Sequence, residues 1–78
     1  MDQLLQRMQL EGRYANWFQI GHNAFEFLVD FGQHYPETSE MHLHTRIITS
    51  PTYARALLEL LETAIRQYEE SHGRIPSQ

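Results

Sequence analysis

The sequence predicts an α+β fold: a three-stranded antiparallel sheet packed on one long C-terminal helix, in the order βββα. Three features carry that expectation. Residues 24–31 (AFEFLVDF) place Phe25, Phe27, Val29 and Phe31 at every second position, the period of a half-buried strand. The connection before them, Gly21-His22-Asn23, is too short for a parallel crossover and forces a hairpin. Residues 51–72 read as a helix of about six turns, bounded by a capping serine and a terminating glycine.

Residues 1–11 (MDQLLQRMQLE) form an N-terminal extension. The spacing of Leu4, Leu5, Met8 and Leu10 fits a short amphipathic helix with Asp2 at its start. A helix below ~12–15 residues is marginal alone, so the alternative is a disordered tail. The domain proper spans 12–78. Residues 12–20 (GRYANWFQI) are rich in aromatics and predict the first strand, with Tyr14, Asn16, Phe18 and Ile20 on one face. Residues 24–31 form the second, with Glu26, Leu28 and Asp30 opposite the aromatic set. Gly32, Pro36 and a polar cluster make 32–41 a loop, and 42–49 (HLHTRIIT) alternate as the third strand. On that strand Leu43, Thr45, Ile47 and Thr49 share one face, and His42, His44, Arg46 and Ile48 the other.

The helix boundaries carry the strongest local chemistry. Ser50 suits the N-cap and Pro51 the first helical position, where its missing N–H costs nothing. Gly73 suits a left-handed C-cap, with Ile75 folding back and Pro76 blocking continuation. Arg55–Glu59, Glu62–Arg66 and Arg66–Glu70 have the spacing of solvent-side ion pairs. Ala54, Leu57, Leu58, Leu61, Ile65 and Tyr68 form one stripe, and Tyr53, Leu60 and Ala64 widen it. The apolar arc reaches about 160°, against the ≳100° of an ordinary surface helix. Phe27, Val29, Leu58 and Leu61 are the expected core between sheet and helix.

Composition narrows the function classes. The chain has 78 residues, no cysteine, six basic and ten acidic side chains, and a net charge of −4. All six basic residues are arginine, which suits interfaces but also follows from a GC-rich genome. The net charge disfavours a general nucleic-acid or anionic-membrane binder. No apolar run approaches a membrane span and no signal-peptide pattern opens the chain, so the expected location is the cytoplasm. A chain this short buries only roughly 60% of its unfolded surface, and neither disulfide nor thiolate metal supplements the core.

Few residues suggest chemistry. His42 and His44 share a strand face and would bind zinc if Glu26 or Asp30 supplied a third ligand; a solvated face of titratable residues is the simpler reading, and no metal or cofactor is expected. No serine sits in a nucleophile elbow, and the glycines mark element ends rather than a phosphate loop. Asn16, on the face assigned to the core, should clamp backbone at the sheet edge or on a neighbouring subunit. Trp17, Leu28 and Ile48 point away from the helix-covered face, ringed by Arg13, Gln19, Glu26, Asp30 and Arg46. An apolar patch with a polar rim marks an interaction surface, and tryptophan is enriched where binding energy concentrates.

Tyr14-Ala15-Asn16, the block Phe25 to Phe31, Arg46-Ile47-Ile48-Thr49-Ser50-Pro51, the helix end Tyr68-Glu69-Glu70 and the closing Gly73-Arg74-Ile75 resemble a bacterial and archaeal family catalogued as domain of unknown function 3467. A histidine near the hairpin turn, here His22, also fits. The resemblance covers roughly residues 12–76 and leaves out 1–11. It implies the element order and carries no activity, cofactor or catalytic residue. The expected function is a non-catalytic, self-associating interaction module, a homodimer or larger oligomer serving as an accessory subunit of a larger complex. Its contact residues are Trp17, Leu28 and Ile48 on the sheet and Tyr53 and Leu60 on the helix. The alternative is a small ligand- or metal-binding protein with its site between subunits.

Overall fold

A computed structural model of the protein describes the backbone of residues 3–77 and the side chains of residues 6–77. The element order is α1 (Gln3–Gln9), β1 (Trp17–His22), β2 (Phe27–Tyr35), β3 (Glu40–Thr49) and α2 (Pro51–His72). The three strands form one antiparallel sheet in the order β1-β2-β3, so β2 is central. The α+β class and the βββα order therefore stand as the sequence predicts. The N-terminal segment contains a helix; Asp2, expected at its start, and the side chains of Leu4 and Leu5 lie outside the described residues.

The strand limits differ from the expectation. β1 begins at Trp17 instead of Gly12 and runs through Gly21 to His22. The turn falls on residues 23–26, where Asn23 Oδ1 accepts the backbone N–H groups of Phe25 (2.8 Å) and Glu26 (3.0 Å), and Asn23 N–H donates to the Glu26 carbonyl (3.0 Å). An asparagine that bonds the backbone two and three residues on makes a turn by itself, so Phe25 falls outside the strand. The supposed loop 32–41 shrinks to residues 36–39, because β2 continues through Gly32 to Tyr35 and β3 starts at Glu40. Gly32 is a strand residue for a packing reason: a Cβ there would collide with the carbonyl oxygen of His42 on β3.

The turn between β2 and β3 is closed by Thr38 N–H (3.2 Å) and Ser39 N–H (2.8 Å), both donating to the Tyr35 carbonyl. Ser39 has φ 59°, a left-handed conformation that a non-glycine residue adopts at a cost.

The described chain divides into two compact units. The first combines Met1–Gln19 with Asp30–Arg46, and the second Ile20–Val29 with Ile47–Gln78. In the first, Asn16 extends the ladder beyond the end of β1. Its backbone N–H donates to the Gly32 carbonyl (3.0 Å), its Oδ1 accepts from His34 N–H (2.7 Å), and its Nδ2 donates to the His34 carbonyl (3.1 Å). The side-chain amide thus stands in for the next peptide unit at the sheet edge. Asn16 clamps backbone as expected, yet it is exposed rather than buried. Tyr14 and Phe18, assigned to a core, are 70% and 56% exposed, and Phe18 meets Phe31 edge to face at 5.8 Å.

In the second unit, α2 begins as the sequence predicts. Ser50 Oγ accepts from Tyr53 N–H at 3.2 Å and Pro51 opens the helix. Its end differs in detail. Gly73 has φ 89° and ψ 173°, a conformation open to glycine but outside the left-handed helical region. The Gly73 N–H completes the helical pattern to Glu69 (2.9 Å), and the Glu69 carboxylate accepts the Ile75 N–H (2.8 Å). None of the three expected helix ion pairs forms among the described residues; Arg66 instead donates to the Thr63 hydroxyl at 3.4 Å. Exposed pairs of long side chains gain too little Coulomb energy to hold one geometry.

The expected core is not formed within the chain. No hydrophobic side chain among the described residues is buried, and neither is any residue of α2. Leu58 and Leu61 are 50% and 54% exposed, and Phe27 and Val29 are only half-buried. The stripe is present in the sequence, but no residue on it is buried.

The Ser39 geometry supplies the first test. Ser39→Gly removes the left-handed strain, and a gain of about 0.5–1 kcal/mol in denaturant-unfolding stability is expected. A loss of stability would show that Ser39 earns its place through its side chain.

Candidate functional site

In the first unit the chemistry-bearing side chains are engaged with one another. Asp30, on the central strand, is 6% exposed and the only buried polar side chain among the described residues. Arg46 on β3 holds it through two parallel bonds, Nε to Oδ1 at 2.7 Å and Nη2 to Oδ2 at 2.8 Å. This bidentate fork is the strong form of carboxylate recognition. The hydrogen bond from Arg46 holds the Asp30 carboxyl below its ordinary value against the opposing effect of burial, and the guanidinium charge adds to the lowering. Bonding to Asp30 raises Arg46 in turn. Asp30 and Arg46 are therefore a structural pair; Asp30 is buried and drops out of the expected rim around Trp17, Leu28 and Ile48, while Arg46 stays exposed.

His44 is likewise occupied. Its Nε2 lies 3.0 Å from the Tyr14 carbonyl and its Nδ1 2.7 Å from the Thr45 hydroxyl. A carbonyl only accepts, so Nε2 carries a proton; in the neutral ring Nδ1 then accepts from Thr45. Arg13 Nη1 donates to the His44 carbonyl at 3.3 Å. Residues 13–16 thus bond β2 through Asn16 and β3 through His44, and so strap the two strands together. A shallow depression of about 480 Å³ lies beside the strap, bordered by Glu11, Arg13, Phe31 and Arg46.

The zinc constellation considered from the sequence does not assemble. His42 Nε2 contacts its neighbour Glu40 at 3.3 Å, His44 turns to the strap, and the Asp30 oxygens face Arg46. Glu26 lies in the turn before β2, outside the strand. Among the described residues no group of three such ligands converges.

Apolar side chains stand open in both units, Met8, Leu10 and Tyr14 in the first among them, and the second unit carries most of the contact candidates. On α2 the contact candidates Tyr53 and Leu60 are each 70% exposed, and Leu57 is 50% exposed. On the strands Ile48 is 60% exposed, while Leu28 is half-buried. Trp17, the remaining candidate, lies in the first unit at the start of β1 and is half-buried. Sequence reasoning missed the larger part of this surface, because it spent the helix stripe and the aromatic strand face on an internal core. Phe25 at 82%, Ile20 at 66% and Ile47 at 49% exposure belong with it. The signal was present in the chain length, which limits what one copy can bury. Behind the helix end, Ile65, Tyr68, Ile75 and Pro76 line a second shallow depression of about 500 Å³.

The fold and these surfaces define a small α+β chain with a polar-stitched sheet and an uncovered apolar helix. The family model described as protein of unknown function (DUF3467) matches residues 3–77, and the chain belongs to that family. The match takes in the N-terminal segment from residue 3, which the motif resemblance left out. No curated protein and no solved structure matches the chain. Among the described residues no helix is long and apolar enough to cross a membrane.

The Asp30–Arg46 fork generates a pH prediction. A carboxyl whose folded value lies below its unfolded one stabilises fully above the unfolded value, and that contribution is lost as pH falls through the folded value. Wild type should therefore lose stability below about pH 4, the ordinary aspartate range. Asp30→Asn should be less stable at neutral pH and show a flatter acid limb in urea titrations. An identical acid limb in the variant would remove Asp30 as its source.

Proposed function

We propose that this chain is a non-catalytic, self-associating interaction module that serves as an accessory or assembly subunit in the cytoplasm. One observation carries the reading: α2 has an apolar stripe along its length, and none of its 22 residues is buried. Apolar surface left in water forgoes roughly 25 cal/mol per Å², so a partner surface is favoured wherever association costs are met. The engagement of Asp30 and His44 in structural contacts supports a scaffolding role over an acid–base one. A second copy of the chain is the partner always available at matching concentration, and closed two-fold symmetry is the commonest arrangement.

Sedimentation velocity tests this directly. The wild type should sediment as a dimer or larger species at micromolar concentration, and its melting temperature should rise with protein concentration. Leu60→Ser, at an exposed position, should weaken association about tenfold or more, the equivalent of roughly 1.4 kcal/mol. A stable species of 9.3 kDa at all concentrations, melting at one temperature, overturns the reading.

A further inference from the structure

The chain carries two complementary apolar surfaces, and both are open. The second unit contains the tip of the β1–β2 hairpin, the end of β3 and all of α2. Within it, Ile20 and Ile47 on the sheet and Phe25 in the turn before β2 are 66%, 49% and 82% exposed, and Leu57, Leu58 and Leu61 on the helix are 50%, 50% and 54% exposed. A helix–helix contact would cover only one of these surfaces.

The areas call for more than one contact. The chain exposes 7283 Å² at a mass of 9.3 kDa. A self-contained folded chain of that mass exposes roughly 5,000 Å², which leaves an excess of about 2,300 Å². A standard interface takes about 800 Å² from each partner, whereas obligate dimers take about 1,000–2,500 Å². The excess is summed over the whole chain, and an interface of obligate size would take up a large part of it.

Length and connection point the same way. The 22 residues of α2 span about 33 Å, and the ten residues of β3 about the same. One residue, Ser50, joins them, in an extended conformation with φ −82° and ψ 162°. Strand-to-helix loops usually have about 2–6 residues. A single extended residue leaves little slack for the helix to double back over the strand it has just left, but none is needed to reach another chain.

We propose that two copies of this chain assemble reciprocally, the apolar stripe of each α2 lying on the Ile20–Phe27–Val29–Ile47 face of its partner's sheet, with Phe25 in the turn beside it. The arrangement rests on the self-association reading and specifies its geometry. Each chain then has two contacts with its partner, one through its helix and one through its sheet. The hydrophobic core expected between sheet and helix forms, with its two halves on different chains.

The absence of cysteine allows a clean test, because introduced thiols are unique. Ile47→Cys and Leu61→Cys chains, one of them isotope-labelled, are refolded together, and dimer formation is checked by sedimentation. A short bismaleimide is then added and the products are weighed by mass spectrometry. The mixed product should exceed either same-variant product by roughly tenfold, since only that pair is held at high effective concentration. Phe25→Cys with Leu57→Cys provides a second pair should the first fold poorly. A dimer that cross-links only Leu61→Cys to Leu61→Cys, or that gives no mixed product with either pair, overturns the reciprocal arrangement. So does an Ile47→Cys/Leu61→Cys double variant that closes within one chain. A chain that fails to dimerise at all overturns the underlying self-association reading as well.

Discussion

Apolar side chains leave water only when another surface replaces it, and among the described residues no hydrophobic side chain is fully covered. What the chain does fix by itself is polar. Strand ladders, the Asn23 turn, the Asn16 clamp, the Ser50 cap and the Asp30–Arg46 fork all use hydrogen bonds. Each such bond contributes only about 0.5–1.5 kcal/mol net, because water offers the same partners to the unfolded chain. Shape is therefore specified locally, while the hydrophobic term, ordinarily the dominant one, is drawn on little among the described residues.

Specification of the sheet is correspondingly strict. Asp30 and Gly32 are two apart on the central strand and so share a face. Asp30 meets Arg46, and Gly32 lies against the His42 carbonyl with no room for a side chain. A one-residue slip of β3 would carry Arg46 to the other face and strand a buried carboxylate. Replacing the fork by apolar residues of similar size would often be neutral for stability, so its clearest contribution is to register. The strap fastens the same two strands from outside through Asn16 and His44.

Legibility in the sequence followed the range of the forces. The helix limits were readable to the residue, because Ser50, Pro51 and Gly73 act on their immediate neighbours. Strand limits were not, because pairing is long-range. Gly32 reads as a breaker in isolation, and only the approach of His42 makes it a strand residue. Phe25 reads as part of an alternating run until Asn23 bends the backbone beneath it. Asp30 looked like a solvated rim residue, although alternation already placed the opposite charge of Arg46 on the same face of a neighbouring strand. At the candidate site, periodicity located the α2 stripe correctly but could not say which surface covers it, since hydrophobic pattern records the need for burial and not the identity of the partner.

That ambiguity has a physical consequence for how such a chain folds. A hairpin stitched by turns and a helix set by caps have mostly local contacts and form quickly. The product still exposes Leu57, Leu58 and Leu61 on the helix, Ile47 on the sheet and Phe25 in the turn before β2. Under the self-association proposed above, each copy would offer the other the surface that it lacks. The register set by Asp30, Arg46 and Gly32 then does more than order one sheet. It decides which side chains stand on the apolar face of the sheet, and under the proposed assembly a buried polar pair would govern an apolar contact that it does not itself make.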